Sequence, residues 1–346
     1  MKTIIFKLLT ICMLVSLTFL GGCQTAEQQF IRDLSVDMTP RQISVTSPND
    51  FTAIVEQVRS AVVGISATTA DYYSVGSGVC VAEGGYILTN HHVVSGAKKL
   101  VVYFADKTQS NAQTIWSDSS IDLAIIKCER DIPFIEFGDT ESVKVGQDVI
   151  AIGTPLTLQF KHTVTKGIVS AKDRTLEVDG DNGASYLQNL IQHDASINPG
   201  NSGGALISGE GKLIGINTLK ASDAEGIGFA IPVEVGKAIV SQISNDESYK
   251  VPYLGIFGFD ATVAQYYGKT MYETGVYVVN IDESSASAKA GLKKGDIIVS
   301  MGGQKIATML DMRVALYGYK VGDRVVMEVI RDGSTQVVNF VATERP

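Results

Sequence analysis

Apolar residues are arranged along this chain in three ways. The first is a single unbroken run. Residues 8–20 are 13 uncharged positions rich in Leu, Ile, Val, Met and Phe, preceded by a short positive region with Lys2 and Lys7. That is shorter than the roughly 20 residues of a membrane-spanning helix, and it suits the core of a secretory signal. The second is helical. Phe51, Ile54, Val55, Val58 and Val62 follow a three- and four-residue spacing, with Asn49 or Asp50 placed to cap the helix. The third fills most of the chain. From Val62 to about Gly236, short apolar stretches predict strands at 62–65, 78–81, 86–89, 100–104, 122–128, 148–152, 164–170 and 213–218. Turn signals such as Glu83-Gly84-Gly85 and the Asp/Gly/Asn-rich stretch from Asp179 to Gly183 separate them. Many short strands without strand–helix alternation predict sandwich or barrel architecture rather than a doubly wound sheet.

The stretches between these patterns divide the chain. Residues 1–22 are read as a signal, 23–50 as a polar tether, 51–245 as the β-rich body and 250–346 as a further domain, with a short polar hinge after Asn245. The last domain opens on Tyr253-Leu254-Gly255-Ile256-Phe257-Gly258. It is expected to hold a helix over 309–317 and a strand over 324–331 ahead of the Asp332-Gly333 turn.

Composition agrees with this layout. The 346 residues are 45% apolar and 19% charged, enough to bury large cores, and the 34 glycines against 8 prolines suit a turn-rich β protein. Net charge is −8, and loss of Lys2 and Lys7 with the signal would make it −10. With no long basic run, nucleic-acid binding has no electrostatic support. The signal ends in Leu20-Gly21-Gly22-Cys23, which resembles a bacterial lipobox and marks Cys23 as the lipid attachment site. A plain secretory signal or an uncleaved anchor are the alternatives. Cys80 and Cys128 lie in apolar strand-like runs. Export would permit a disulfide, but buried free thiols acting as small hydrophobes are the favoured reading.

The chemistry is concentrated in Asn198-Pro199-Gly200-Asn201-Ser202-Gly203-Gly204, with Thr89-Asn90-His91-His92-Val93-Val94 and Ser120-Ile121-Asp122-Leu123-Ala124 upstream. A serine hydroxyl needs a base within hydrogen-bond reach, and the base needs a partner that fixes its tautomer. Histidine, aspartate and serine in that order supply those groups. The loop Gly200-Asn201-Ser202 would form an oxyanion hole, with the N–H groups of Gly200 and Ser202 as the natural donors. Side chains at Gly203 and Gly204 would obstruct close approach. Read singly, the glycine-rich run could be an ordinary turn and His92 a packed core residue. The Gly-x-Ser-x-Gly elbow of α/β hydrolases is missing around Ser202. No phosphate loop and no zinc-spaced histidine pair occur, so no nucleotide, cofactor or metal is expected. The stretch from Asp179 to Gly183 lacks the full twelve-residue calcium pattern.

These residues resemble the HtrA family of trypsin-like serine proteases, which includes DegP and DegS, over roughly residues 51 to 345. Matching segments are Gly76-Ser77-Gly78-Val79, the stretch from Ile87 to Val94, Asp122-Leu123-Ala124-Ile125-Ile126-Lys127, Thr163 to Ser170, Gln192 to Leu206 and Gly226 to Pro232. The resemblance implies a mainly β fold: a trypsin-like pair of six-stranded barrels followed by a small α+β PDZ domain. It makes His92 the base, because the family's catalytic histidine directly precedes Val-Val. His91 then fills a variable position, Asp122 is the triad acid and Asp194 a frame residue. His162 is expected at the surface. His193 stands where the family more often has threonine, a departure that would alter the activation loop or a surface contact.

Further implications concern specificity and partners. The residue six before the serine sits at the base of the primary specificity pocket; Ser196 there offers no counter-charge for Lys or Arg. Ile197 and Ile227 would narrow the pocket toward small or medium aliphatic residues such as Val, Ala or Ile, unless they are simply core. Lys220 departs from a segment that often supplies an apolar wall. In the PDZ domain, Tyr253, Leu254, Gly255 and Ile256 resemble the loop that holds a terminal carboxylate, and Leu310 and Val314 could line the groove. The expected protein is a bacterial envelope lipoprotein and ATP-independent endopeptidase, forming a homotrimer through the segment near Phe51. Its expected partners are unfolded polypeptides and peptides with apolar C-termini. A peptide-binding chaperone or sensor with a latent protease domain, or a regulatory protease with a narrow substrate, are the competing readings.

Overall fold

The computed structural model describes residues 36–154, 163–180, 183–198, 200–220, 226–246, 249–266 and 274–345. Cys23, the signal and most of the expected tether lie outside the described residues, as do His162 and the tip of the Asp179–Gly183 turn. Residues 39–346 form one compact unit. The end of the expected tether is not free. Strand β1 (Gln42–Ile43) pairs in parallel with Phe134 and Ile135, Ile43 is buried, and the Asn49 N–H donates to the Gly209 carbonyl. Helix α1 (Phe51–Val58) starts where the Asp50 carboxylate accepts from the Ala53 N–H. It buries Ile54 and Val58. The helical spacing had included Val62, but a 3-10 turn over Arg59–Ala61 intervenes and Val62 opens a strand.

Six strands close the first barrel: β2 (Val62–Thr68), β3 (Tyr73–Ala82), β4 (Tyr86–Thr89), β5 (Lys99–Tyr103), β6 (Gln109–Asp118) and β7 (Leu123–Cys128), in the order β2-β3-β4-β7-β6-β5. Closure removes sheet edges and buries alternate side chains inside. One helical turn, α2 (His91–Val94), interrupts it after β4. Cys80 and Cys128 are free, buried thiols of this barrel, and burial pushes both pKa values up. After β8 (Phe134–Ile135), the second barrel closes from β9 (Asp148–Gly153), β10 (Thr163–Gly180), β11 (Gly183–His193), β12 (Ala205–Ser208), β13 (Leu213–Lys220) and β14 (Gly228–Pro232). Its core contains Val149, Ala151, Val169, Ile191, Leu206, Ile214 and Ala230.

Helix α3 (Glu234–Asn245) follows directly and turns Val235, Gly236, Ile239, Val240 and Ile243 inward. Gly236 lets it press on Leu88, since a Cβ there would come within 2.6 Å of a Leu88 methyl. The C-terminal part is an antiparallel sheet of β15 (Ile256–Phe259), β16 (Val276–Ile281), β17 (Ile297–Met301), β18 (Gln304–Lys305), β19 (Arg324–Arg331) and β20 (Ser334–Val341). Helices α4 (Ala261–Tyr266), α5 (Ala286–Lys289) and α6 (Met309–Tyr317) accompany it. A capping box between Thr308 and Asp311 fixes the start of α6. This helix rests against the barrels: the Tyr317 hydroxyl donates to Asp118 at 3.2 Å, its ring meets Trp116 edge-on at 6.2 Å, and the Leu310 N–H donates to Asn189 at 3.2 Å.

Candidate active site

Two parts of the first barrel bring His92 and Asp122 together. His92 sits on α2, directly after the Asn90 that ends the β4 segment. Asp122 lies in the turn before β7 with φ of 53°, a left-handed conformation that aspartate tolerates better than most residues. The Asn90 amide clamps that turn by donating to the Asp122 carbonyl at 2.9 Å. The Asp122 carboxylate then receives three donors. The His92 N–H reaches Oδ1 at 3.0 Å, the ring Nδ1 reaches Oδ2 at 2.9 Å, and the Thr218 hydroxyl reaches Oδ2 at 2.7 Å. An ionised carboxylate only accepts, so His92 carries its proton on Nδ1 and keeps a lone pair on Nε2. The acid is nearly enclosed and the imidazole half exposed, with side chains 12% and 46% accessible. His91 points elsewhere, its Nδ1 bonding the Ser117 hydroxyl at 2.6 Å.

Ser202 comes from the second barrel. Its Oγ donates to the Thr218 carbonyl at 2.9 Å, so Thr218 contacts the serine through its backbone and the aspartate through its side chain. Sequence reasoning missed Thr218. Its signal was a polar pair, Asn217-Thr218, within the otherwise apolar run from Leu213 to Leu219. Ser77 was also missed: its hydroxyl donates to the Gly200 carbonyl and accepts the Thr154 N–H, while its own N–H donates to the Ser202 carbonyl at 2.8 Å.

The glycines around Ser202 have separate tasks. Gly200 has φ of 103°, a conformation open to glycine. Gly203 and Gly204 face the protein rather than a substrate. A Cβ on Gly203 would overlap the Ser77 carbonyl and Thr89 hydroxyl, and one on Gly204 the Ile152 carbonyl. The obstruction expected at these positions is therefore a clash with the first barrel at Gly203 and with the second barrel's own backbone at Gly204. Asn201 offers the cleft no donor: its N–H bonds the Asn198 carbonyl at 3.0 Å and its side chain is buried. Its part in the expected oxyanion loop is thus to hold the turn between Gly200 and Ser202, whose N–H groups were the expected donors.

Among the specificity positions, Ser196 is exposed, Ile227 is half-buried and Ile197 packs into the second-barrel core with 7% of its surface accessible. Asp194 is exposed and ties strand β10 by accepting the Ile168 N–H at 2.6 Å. His193 is not a surface contact, because it is fully buried. Neither ring nitrogen makes a well-aligned hydrogen bond among the described residues, although the Ala195 backbone and the Asn217 side chain lie near it, and burial pushes its pKa down to about 4. The Lys220 side chain lies outside the described residues.

In the C-terminal domain a groove of about 340 Å³ opens between β15 and α6. Ile256, Phe259, Val263 and Met309 give it apolar walls, Arg313 lines it, and Ser120 and Gln188 of the barrels complete it. Of the four residues expected in the carboxylate loop, Ile256 alone lines this cavity. Tyr253 spends its N–H on the Thr343 carbonyl at 2.8 Å, Leu254 is buried, and Gly255 turns the chain with φ of 76°. Leu310 and Val314, expected in the groove, lie instead on a cavity facing the second barrel, beside Asn189 and Ile191.

Two closed barrels sharing a Ser, His and Asp cluster, followed by a sheet with a peptide-sized groove, define a trypsin-like serine endopeptidase carrying a PDZ domain. The family model for the trypsin-like peptidase domain matches residues 76–216, and that for the PDZ domain matches residues 252–340. Serine protease Do-like HtrB of Bacillus subtilis is 35% identical over 332 residues, covering 87% of this chain and 72% of the relative. A probable periplasmic serine endoprotease, DegP-like, of Pseudomonas putida is 38% identical, covering 76% of this chain and 54% of the relative. The HtrA-type protease AlgW with tripeptide superposes with a TM-score of 0.64 at 31% identity, covering 85% of this chain and 96% of that one. The serine endoprotease from Yersinia pestis does so at 0.58 and 31%, covering 85% and 97%. The chain belongs to the HtrA family of serine proteases.

Proposed function

We propose that this protein is an extracytoplasmic, ATP-independent endopeptidase that clears unfolded or damaged envelope proteins through an acyl-enzyme on Ser202. The observation that carries the reading is the fixed pair His92–Asp122, held by three donors, next to a serine anchored on the same Thr218. Ser202 Oγ turns from the Thr218 carbonyl toward His92, and Nε2 takes its proton as Oγ attacks the scissile carbonyl. The N–H groups of Gly200 and Ser202 receive the oxyanion. The imidazolium, steadied by Asp122, protonates the leaving amine. A water then repeats the cycle on the acyl ester and frees the carboxylic acid. Ser196, Ile197 and Ile227 shape a pocket without charge for small or medium aliphatic side chains. The apolar groove at Ile256, Phe259 and Met309, with the loop from Tyr253, binds peptides with apolar C-termini.

The periplasmic relatives support an envelope location. Anchoring through a lipid on Cys23 follows from the lipobox; metabolic labelling with palmitate tests it, and an unlabelled protein would rule it out. A homotrimer fits the exposed stripe Val164, Lys166 and Ile168 on β10 beside Phe51, whose ring carries Lys166 Nζ 4.1 Å from its centroid. The central experiment is casein digestion. Wild type should degrade casein and Ser202→Ala should not; equal digestion by both would remove the assignment. A second reading, a protease gated by its PDZ domain, is favoured by Ser202 donating to Thr218 instead of His92 and by α6 resting on the turn before Asp122. Stimulation of casein digestion by peptides with apolar C-termini separates that reading from constitutive activity.

A further inference from the structure

His193 is buried, makes no well-aligned hydrogen bond from its ring among the described residues, and has no part in the acyl-transfer steps. It ends β11 and pairs directly with Gly228, the first residue of β14. Directly opposed residues of an antiparallel pair send their side chains to one face. Gly228 has none, and its space is already taken. A Cβ there would come within 2.7 Å of His193 Cε1 and 2.9 Å of Ile197 Cγ1. The imidazole and the Ile197 side chain thus both border the space that a side chain at 228 would fill. Ile197 cannot retreat toward β14 while the ring stands there.

We propose that His193 is a positioning residue for substrate specificity: its ring fills the space behind Ile197 and Gly228 and keeps the pocket for the residue before the cut shallow. The inference rests on the reading of Ile197 as a wall of that pocket. The surroundings suit such a spacer. Ile197 belongs to the second-barrel core with Val169, Ile191 and Ala230, so a volume change at 193 is passed to it through packed neighbours rather than absorbed by solvent. Burial also keeps the ring uncharged across the neutral range, so it packs as a rigid planar body. A smaller residue at 193 gives Ile197 room to move back, deepening the pocket.

The test is a set of peptide substrates differing only in the residue before the cut, with Val, Leu or Phe there. These are run with wild type, His193→Ala, His193→Gln and Ile197→Ala. His193→Ala should raise the kcat/KM ratio of Leu and Phe over Val about tenfold, the scale of fit in an apolar pocket. His193→Gln, of nearly the same volume, should restore the wild-type ratio. Ratios between substrates are independent of the fraction of enzyme that folds. A uniform loss across all three substrates, or complete inactivity of both His193 variants, would overturn the inference and leave His193 as a structural residue. If Ile197→Ala shifts the ratio and His193→Ala does not, the pocket reading stands and the inference fails. If neither shifts it, the pocket reading itself is wrong.

Discussion

Thr218 contacts both members of the proposed triad that lie deepest, Asp122 through its hydroxyl and Ser202 through its carbonyl. The hydroxyl bond is buried and directed at a carboxylate, a class of interaction worth roughly 1.5–3 kcal/mol. Thr218→Val keeps the shape and the carbonyl but removes that donor. We expect kcat to fall about 10- to 100-fold with KM little changed, because what is lost is the hold on Asp122 as the imidazolium forms. An increase in KM alone would place Thr218 in substrate binding. The contrast with the other residues is instructive. Ser202, His92 and Asp122 were legible because each stands in a distinctive frame. Thr218 and Ser77 are single hydroxyls in apolar strands, and only the folding of two barrels against each other shows what they reach.

Helix α6 is the element whose orientation matters most. Its limits could be read from the chain, since the Thr308–Asp311 capping box fixes its first turn and Gly318 its end. Its rotation could not. Leu310 and Val314 form an apolar pair that fits a groove as well as a barrel, and packing turned them toward Asn189 and Ile191. That left Met309 and Arg313 for the groove. The same packing sets Tyr317 on Asp118, four residues before Asp122, with Trp116 against its ring. If this contact restrains the turn that carries Asp122, Tyr317→Phe should raise peptide-free casein digestion several-fold while the peptide-stimulated maximum stays the same. Unchanged basal activity would assign the contact to domain packing alone. Helix α3 was missed for a different reason: its inward residues at 235, 236, 239, 240 and 243 follow helical spacing but directly continue a β-rich stretch.

At the scale of the whole molecule, the outer face of the second barrel stands out. Val164 and Ile168 are 39% and 40% accessible on alternate positions of β10, flanking Lys166, which bridges to Asp148 at 3.2 Å. An apolar stripe of this kind costs free energy in water and is relieved by association. Ile168→Asp puts a charge in the stripe, so sedimentation of the proposed homotrimer should shift to a monomer; a trimer retained by the variant would place the contact elsewhere, and a monomeric wild type would remove the proposal. The chain by itself determined that the protein is mainly β and equipped with Ser, His and Asp in frames suited to acyl transfer. Those properties reside in local composition, turn chemistry and short fixed spacings. The tertiary structure alone decided that Thr218 joins the acid to the serine, that Gly203 admits the first barrel, that His193 is enclosed, and which face of α6 meets the groove. Each depends on contacts between segments far apart in sequence, where close packing selects one among several arrangements that the local pattern allows equally.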